Sequence, residues 1–268
     1  MSRAYDIVKK EQDLTHLTWD EHSCPSGLSG LRLKAREGTG PQAVYYKRSR
    51  KGPLGQGGTD CVCELICSRL MTALGIDCVS TQLVLAKVSP EAPAEWLIKS
   101  KSYRAAGEQA MPLNMLYELM SDSLETPFEF CCRMGWRKRI SEVIVADYLS
   151  ATRCRDASCF EVIRDQQGSF RLAPCMPQGF SLVNAFPKQT WRAFATADMS
   201  TSHYFGVETL NQSLELLSDS FAAPIMPADL KKTLLAGLSD VVADSQIIEA
   251  SWRIIKQRWE ALEKLCRI

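Results

Sequence analysis

The hydrophobic periodicity of this chain changes at Pro112. Before Pro112, apolar and polar residues alternate in short runs, which is typical of strands. The predicted strands are Leu31–Glu37, Ala43–Ser49, Thr81–Val88 and Glu95–Tyr103. After Pro112, the apolar residues recur every three or four positions, as they do in helices. The sequence therefore predicts an α+β chain with two lobes, a small β-rich lobe over residues 1–107 and a larger, mostly helical lobe over residues 108–268.

The first lobe also contains a predicted amphipathic helix that begins at Thr59 and ends near Gly75. A glycine-rich loop precedes this helix, with Gly52, Gly55, Gly57 and Gly58. Glycines allow a phosphate to approach the backbone closely, and the cations around the loop would attract it. The loop lacks the Gly-Lys-Ser/Thr ending of a Walker motif, so a solvated turn between strand and helix stays open as the alternative.

The second lobe is predicted to contain several helices and one hairpin. The predicted helices are Leu113–Ser121, Pro127–Met134, Trp136–Ala151, Glu208–Asp219, Pro227–Leu238 and Ser245–Cys266. Two short strand-like runs flank a turn at Gln166 to Gly168 and predict the hairpin. The apolar stripe of the last helix, which includes Trp252 and Trp259, is expected to pack on the second lobe.

The charges of the chain nearly cancel, with 32 basic and 31 acidic residues and a net charge of +1. This balance argues against sequence-independent DNA binding by the whole surface. A local patch of Arg133, Arg137, Lys138 and Arg139 is expected to be a solvated helix face, with an acidic partner or a nucleic acid as the alternative. No run approaches 18 apolar residues, and we expect a cytoplasmic protein without a membrane segment.

The order of the predicted parts is that of a protein-kinase-like fold: a strand with lysine, a helix with glutamate, further helices, a polar loop and a hairpin. The stretches that carry the resemblance are YYKRS, CELICSRLMTALGI, FCCRMGWRKRISEVIVADYLSATRCRDASCFEVIRD and FRLAPCMPQGFSLV. They resemble the HipA-like serine/threonine kinases, a family that includes bacterial toxin kinases, over about residues 43 to 185. The resemblance implies a HipA-like fold and a lysine–glutamate pair, Lys47 and Glu64, that steadies nucleotide phosphates beside Gly55, Gly57 and Gly58.

The same resemblance shows where this chain departs from the family. The family's catalytic loop reads Asn-x-Asp-x-His-x-x-Asn, and here Cys154 stands at the base, Asp156 at the histidine and Cys159 at the Mg²⁺-binding asparagine. Pro177 stands where the family has a second metal-binding aspartate. Mg²⁺ prefers oxygen ligands, so we expect a pseudokinase with no catalytic residue and no metal. ATP stays a possible ligand, whereas Mg²⁺ is not expected to bind.

Eleven cysteines and only three histidines leave other chemistry open. The resemblance implies that Cys154, Cys159 and Cys175 lie close together, where thiolates would suit Zn²⁺ or redox chemistry, although packing is the simpler interpretation. Cys154 could also act as a nucleophile if its arginine neighbours lowered its pKa.

The expected role is a regulatory or scaffolding module that binds another protein. The family suggests an antitoxin-like protein, an active kinase or another operon-encoded protein as the partner. Two alternatives stay open, an atypical nucleotide-dependent enzyme that uses the altered pocket and a nucleic-acid-associated regulatory factor.

Overall fold

The structure of the 268-residue chain is a computed structural model. It describes residues 6–22, 32–50, 59–156, 159–186, 190, 196–217 and 221–266. Gly55, Gly57 and Gly58 of the glycine-rich loop lie outside the described residues.

A five-stranded sheet forms the first lobe. Its strands are β1 (Ile7–Asp13), β2 (Lys34–Glu37), β3 (Val44–Lys47), β4 (Thr81–Lys87) and β5 (Glu95–Lys101). The spatial order is β1-β4-β5-β3-β2; β1 runs parallel to β4, and the other neighbours are antiparallel. The sequence analysis missed β1, whose residues Lys9 to Gln12 break the apolar alternation. Edge position explains this composition, because one side of an edge strand faces solvent.

Helix α1 (Thr59–Ala73) lies between the two lobes. The predicted helix is confirmed, but its predicted amphipathic character is wrong, because every residue from Thr59 to Met71 is buried. The helix packs on β4 and β5 on one side and on elements of the second lobe on the other. A helix enclosed on all sides does not need a polar face. Gly75, with φ of +73°, follows it in the left-handed conformation that often ends helices.

The second lobe contains six helices within the described residues. They are α2 (Leu113–Met120), α3 (Pro127–Arg133), α4 (Arg137–Ser150), α5 (Leu210–Glu215), α6 (Leu230–Leu235) and α7 (Ser245–Leu265). Thr126 and Glu129 form a capping box at the start of α3. The helix begins at Pro127, as the sequence predicted. None of the helices in the described ranges is long and apolar enough to span a lipid bilayer.

The described part of the second lobe also contains five short strands. These are β6 (Gln109–Pro112), β7 (Cys154–Arg155), β8 (Glu161–Arg164), β9 (Phe170–Leu172) and β10 (Ser202–His203). The predicted hairpin is β8 and β9, and β6 extends it to three strands. β7 pairs in parallel with β10, so the loop that carries Cys154 is held by a segment almost fifty residues further along the chain. The predicted lobe boundary at residue 107 lies just before β6 and stays a prediction.

One hydrophobic core runs through both lobes. It includes Leu83 and Ile98 of the sheet, Leu65 of α1, and Ile255 and Trp259 of α7. The stripe of α7 therefore packs inside the molecule, as predicted, and Trp259 is fully buried. The position of α1 in this core fixes where its polar residues meet the loops of the second lobe.

Candidate functional site

Lys47 and Glu64 meet between β3 and α1. Lys47 Nζ lies 2.9 Å from Glu64 Oε1, and the glutamate side chain is only 1% exposed. Burial alone would raise the pKa of Glu64, but the positive charges of Lys47 and Arg32 outweigh it and hold this pKa below its usual value. The structure thus brings together the two residues that the resemblance paired.

Arg32 is a third member of this cluster that the sequence analysis did not find. Its guanidinium binds the second carboxylate oxygen of Glu64, and its Nε donates to the Arg48 carbonyl oxygen at 2.6 Å. Two cations therefore share one buried carboxylate, which leaves the cluster with one net positive charge. Arg32 lies just before β2, and no spacing or motif in the sequence marks it as a partner of Glu64.

The residues that flank the glycine-rich loop are joined to each other. Arg50, before the loop, donates its backbone N–H to Asp60 Oδ2 at 2.8 Å, and its guanidinium lies 2.7 Å from Asp60 Oδ1. Thr59, directly after the loop, donates to Asn184 Oδ1 at 2.7 Å. The guanidinium of Arg50 also stacks 4.5 Å from the centre of the Phe180 ring. Arg50 and Thr59 thus both lie at the start of α1, against residues 180 and 184 of the second lobe.

Cys154, Asp156 and Cys159, which the resemblance aligned with a catalytic loop, lie on and after β7. Asp156 Oδ2 lies 3.6 Å from Cys154 Sγ, and the thiol of Cys159 is directed back toward Cys154, 3.9 Å from its carbonyl oxygen. Arg155 points away from these groups and forms a buried bidentate pair with Asp147, at 2.6 and 2.7 Å. It also donates to the Met176 carbonyl oxygen at 2.8 Å. Arg155 therefore ties the loop to α4 and to the segment before Pro177.

Pro177 belongs to a segment that packs closely against α1. Its ring is buried. Two residues later, a Cβ on Gly179 would lie 2.7 Å from the Asp60 carbonyl oxygen, closer than real Cβ atoms come to such an atom. Only glycine allows the backbone to approach α1 this closely. The segment after β9 thus contacts the beginning of α1.

The three cysteines named above do not form one cluster. The Cys159 thiol lies 3.9 Å from the Cys154 carbonyl oxygen, whereas Cys175 is buried and forms a backbone bridge with Cys78. Cys159 and Cys175 border the same cavity, but it measures only about 20 Å³, the space of a single water molecule. Within the described ranges, no group of three or more histidine, cysteine or acidic side chains could hold a metal ion.

The three cysteines of α1 pack in the core. Cys61, Cys63 and Cys67 are fully buried, and burial raises the pKa of Cys67 to about 12. Cys131 of α3 is also buried, while its neighbour Cys132 is partly exposed.

The basic patch at the start of α4 is largely neutralised. Arg133 binds Glu125 at 2.7 Å, and Arg139 binds Asp77 at 3.1 Å and Glu142 at 3.4 Å. Lys138 lies 3.9 Å from Glu142. Three of the four cations have acidic partners, so their arrangement does not favour a nucleic-acid interface.

The β-sheet lobe, the interlobe helix and the helical lobe together define a protein-kinase-like fold. The fold is similar to the crystal structure of the Helicobacter pylori proinflammatory kinase CtkA, with a TM-score of 0.55 and 11% sequence identity over 94% of this chain and 93% of that chain. No family model and no curated protein matches the sequence. At this identity the similarity shows the fold alone.

Proposed function

We propose that this chain is a pseudokinase, a kinase-fold protein that does not transfer phosphate and acts by binding another protein. The observation that carries the proposal is the set of side chains at three catalytic positions, Cys154, Cys159 and Pro177. The side chains of two cysteines and a proline carry no oxygen atom that could bind a metal ion. These positions therefore do not suit Mg²⁺, which prefers oxygen ligands.

Phosphoryl transfer uses a general base and metal ligands, and the proposal is that this chain has lost both. A positioned general base contributes about 10²–10⁴ in rate, and the metal neutralises the charge that develops on the phosphate oxygens. The carboxylates at the interface of the lobes are already engaged with cations: Glu64 with Lys47 and Arg32, and Asp60 with Arg50. Asp156 lies two residues beyond the base position, and even about 1 Å of misplacement is costly for catalysis.

The contacts of α1 support the proposal that the chain acts as a scaffold. Helix α1 is buried on every face, and Arg69 in its last turns binds Asp6 at 2.7 Å and the Leu234 carbonyl oxygen at 2.7 Å. A helix held from both lobes keeps one relative arrangement of those lobes, which favours a surface of constant shape for a partner.

An apolar surface suited to a protein partner surrounds the end of α2. We call it the α2 patch: Met115, Leu119, Met120 and Leu124, which are 48%, 73%, 43% and 94% exposed. Four large apolar side chains on ten consecutive residues are more than the scattered exposure usual on a monomer. We infer that the partner is a protein with a complementary apolar surface; its identity as an antitoxin-like or operon-encoded protein stays a prediction.

Phosphate transfer provides the first test. Purified wild type and Lys47→Ala are incubated with labelled ATP, Mg²⁺ and generic protein substrates, and transfer to protein is measured. We expect the same background signal from both. A Mg²⁺-dependent transfer that is lost in Lys47→Ala and in Asp156→Asn would contradict the proposal and favour the atypical nucleotide-dependent enzyme. Calorimetry with ATP alone, on the same two proteins, tests the separate prediction that Lys47 holds a nucleotide.

Partner capture provides the second test. The full chain, the double variant Leu119→Glu with Leu124→Glu, and the control Ile225→Glu are used as baits. Ile225 is 90% exposed at another site, so its substitution adds a charge without changing the α2 patch. We expect the wild type and the control to retain the same protein and the double variant to lose it at least tenfold. Equal capture by all three baits, or none by the wild type, would overturn the assignment of this surface.

A further inference from the structure

An open cavity lies between the residues that follow α1, the beginning of α4 and the segment at residues 221–224. Its volume is about 520 Å³, which falls within the range of about 300–1,000 Å³ that small-molecule sites occupy. Six of its lining residues are apolar: Leu74, Ile76, Val145, Phe221, Ala222 and Pro224. The cavity shares no lining residue with the Lys47–Glu64 cluster or with the α2 patch.

Hydrogen bonds on two sides hold the walls of this cavity in place. The indole N–H of Trp259 donates to the Pro224 carbonyl oxygen at 3.0 Å and fixes the 221–224 segment to α7. Arg139 of α4 donates to the Asp77 carbonyl oxygen at 2.9 Å, which ties α4 to the residues that follow α1. The walls are therefore arranged before a ligand binds, so binding does not have to order them.

The polar edge of the cavity is formed by the first turns of α4. The lining residues there are Arg137, Lys138, Ser141 and Glu142. The Glu142 carboxylate is already shared by two cations, Arg139 at 3.4 Å and Lys138 at 3.9 Å. Its negative charge is thus compensated within α4.

Arg137 differs from the other cations of this turn. Its guanidinium has neutral neighbours, the Cys132 thiol at 3.9 Å and the Phe128 ring at 5.7 Å from the ring centre. Across the described ranges, no carboxylate forms an ion pair with it. An apolar cavity therefore has at its edge one cation whose charge is not neutralised by the surrounding side chains.

The position of these cations on α4 also favours an anion. The helix is preceded by Trp136, whose side chain does not cap it, and its first turn contains no acidic residue. The three residues Arg137–Arg139 are cations at the positive end of the helix dipole, which disfavours positive charge. A carboxylate beside Arg137 would offset both the unpaired cation and the dipole.

We propose that this cavity binds a small amphipathic carboxylate, with its apolar chain against Val145, Phe221 and Pro224 and its carboxylate at Arg137. Burial of the chain on the apolar lining supplies most of the affinity, and the charge-assisted contact with Arg137 orients the ligand. This site goes beyond the proposed function, and its occupation does not depend on whether the chain transfers phosphate.

Calorimetry on the wild type is the first part of the test and needs no variant to fold. Octanoate and decanoate are titrated below the concentrations at which they form micelles. Two additional CH₂ groups buried on the apolar lining should strengthen binding of decanoate over octanoate roughly tenfold. Absence of saturable decanoate binding, or equal affinities for the two ligands, would overturn the proposal.

The charge contact is tested with Arg137→Gln, using decanol as the neutral ligand. We expect this variant to bind decanoate about fivefold more weakly than the wild type and to bind decanol unchanged, because Arg137 is exposed and its charge is partly screened. Arg36→Gln is the control, since Arg36 is an exposed arginine on the edge strand β2. Equal changes for decanoate and decanol would refute the role of Arg137.

A pair of tryptophan substitutions locates the binding. Ala222 and Ala228 are both exposed, so neither substitution has to repack the core, but only Ala222 lines the cavity. Ala222→Trp should weaken decanoate binding at least tenfold, whereas Ala228→Trp should bind like the wild type. Equal binding by the two variants would place decanoate elsewhere and contradict the proposal. Light scattering on the same proteins tests a second copy of the chain as the occupant: a wild-type dimer that Ala222→Trp dissociates would also overturn it.

Discussion

At the scale of single residues, Glu64 is a buried carboxylate that pairs with two cations. Its buried carboxylate accepts from Lys47 through one oxygen and from Arg32 through the other. A buried carboxylate is costly unless cations and hydrogen bonds compensate it, and here two cations do so. The cluster therefore has a structural role, because it joins β3 and Arg32, two residues before β2, to α1.

Removal of this charge is expected to destabilise the chain in a pH-dependent way. Glu64→Gln leaves Lys47 and Arg32 without their counter-charge, which costs about 3–5 kcal/mol at pH 7. The pKa of Glu64 is lowered in the folded chain, so its contribution is complete above the unfolded value of about 4.3 and is lost as the pH falls through the lower folded value. Urea unfolding at pH 7, 5 and 3 should show the difference from wild type shrinking toward pH 3.

The control for this experiment is Glu249→Gln. Glu249 pairs with Lys231 at 2.9 Å, but both side chains are about half exposed. Solvent screens such a pair, so we expect a change below about 1 kcal/mol at every pH. A Glu64→Gln effect as small as this, or one that stayed constant down to pH 3, would show that Glu64 is not a buried counter-ion.

At the scale of elements, the position of α1 depends on how closely the second lobe approaches its first turn. Gly179 lies against the Asp60 carbonyl oxygen, and Asn184 accepts from Thr59 at the start of the helix. Arg50 holds Asp60 from the other side. The beginning of α1 is thus the point at which Arg50 of the first lobe and the segment after Pro177 meet.

Substitution of Gly179 by alanine is expected to disturb the contact between the segment after Pro177 and the beginning of α1. Gly179→Ala forces the backbone segments apart, at a cost of about 1–3 kcal/mol, and should accelerate amide hydrogen exchange in residues 60–64. Gly75→Ala is the comparison, because it forces alanine into a left-handed conformation, at a cost of about 1–2 kcal/mol, but meets no atom within 4 Å. If both variants left exchange at residues 60–64 unchanged, the close packing at Gly179 would be refuted.

At the scale of the whole molecule, the two lobes share one core. Leu83 and Ile98 of the sheet, Leu65 of α1, and Ile255 and Trp259 of α7 belong to the same group of buried residues. Close packing of apolar side chains across the boundary opposes independent movement of the two lobes. The continuity instead favours a single arrangement of the lobes, in agreement with the proposed scaffold role.

The shared core predicts that the lobes unfold together. Pulsed hydrogen exchange with mass spectrometry across a urea series reads peptides from β5 and α7 separately. We expect the same urea midpoint for both elements, as in a two-state transition. A midpoint for β5 that differs clearly from that of α7 would show that the lobes are separate folding units and would weaken the argument for a constant binding surface.

Elements with local signals were predicted well. The hairpin of β8 and β9 follows from alternating residues around a turn, and α7 follows from a long apolar stripe. β1 was missed because its charged centre hides the pattern, and the polar face predicted for α1 does not exist, because the second lobe covers it. The pairing of Lys47 with Glu64 came from resemblance to a family, whereas the roles of Arg32, Gly179 and Arg155 in the site came from no sequence signal.

Local sequence was enough to predict the helical period of α7, the alternating strands of the β8–β9 hairpin, the helix start at Pro127 and a helix end near Gly75. Those features depend on a few neighbouring residues or on the residue itself. Tertiary structure alone decided that Arg32 shares the carboxylate of Glu64, 32 residues away, and that Thr59 meets Asn184, 125 residues away. It also placed Cys175 in a backbone bridge with Cys78, 97 residues away. Such contacts depend on how the lobes pack, and local propensity carries no information about residues so distant along the chain.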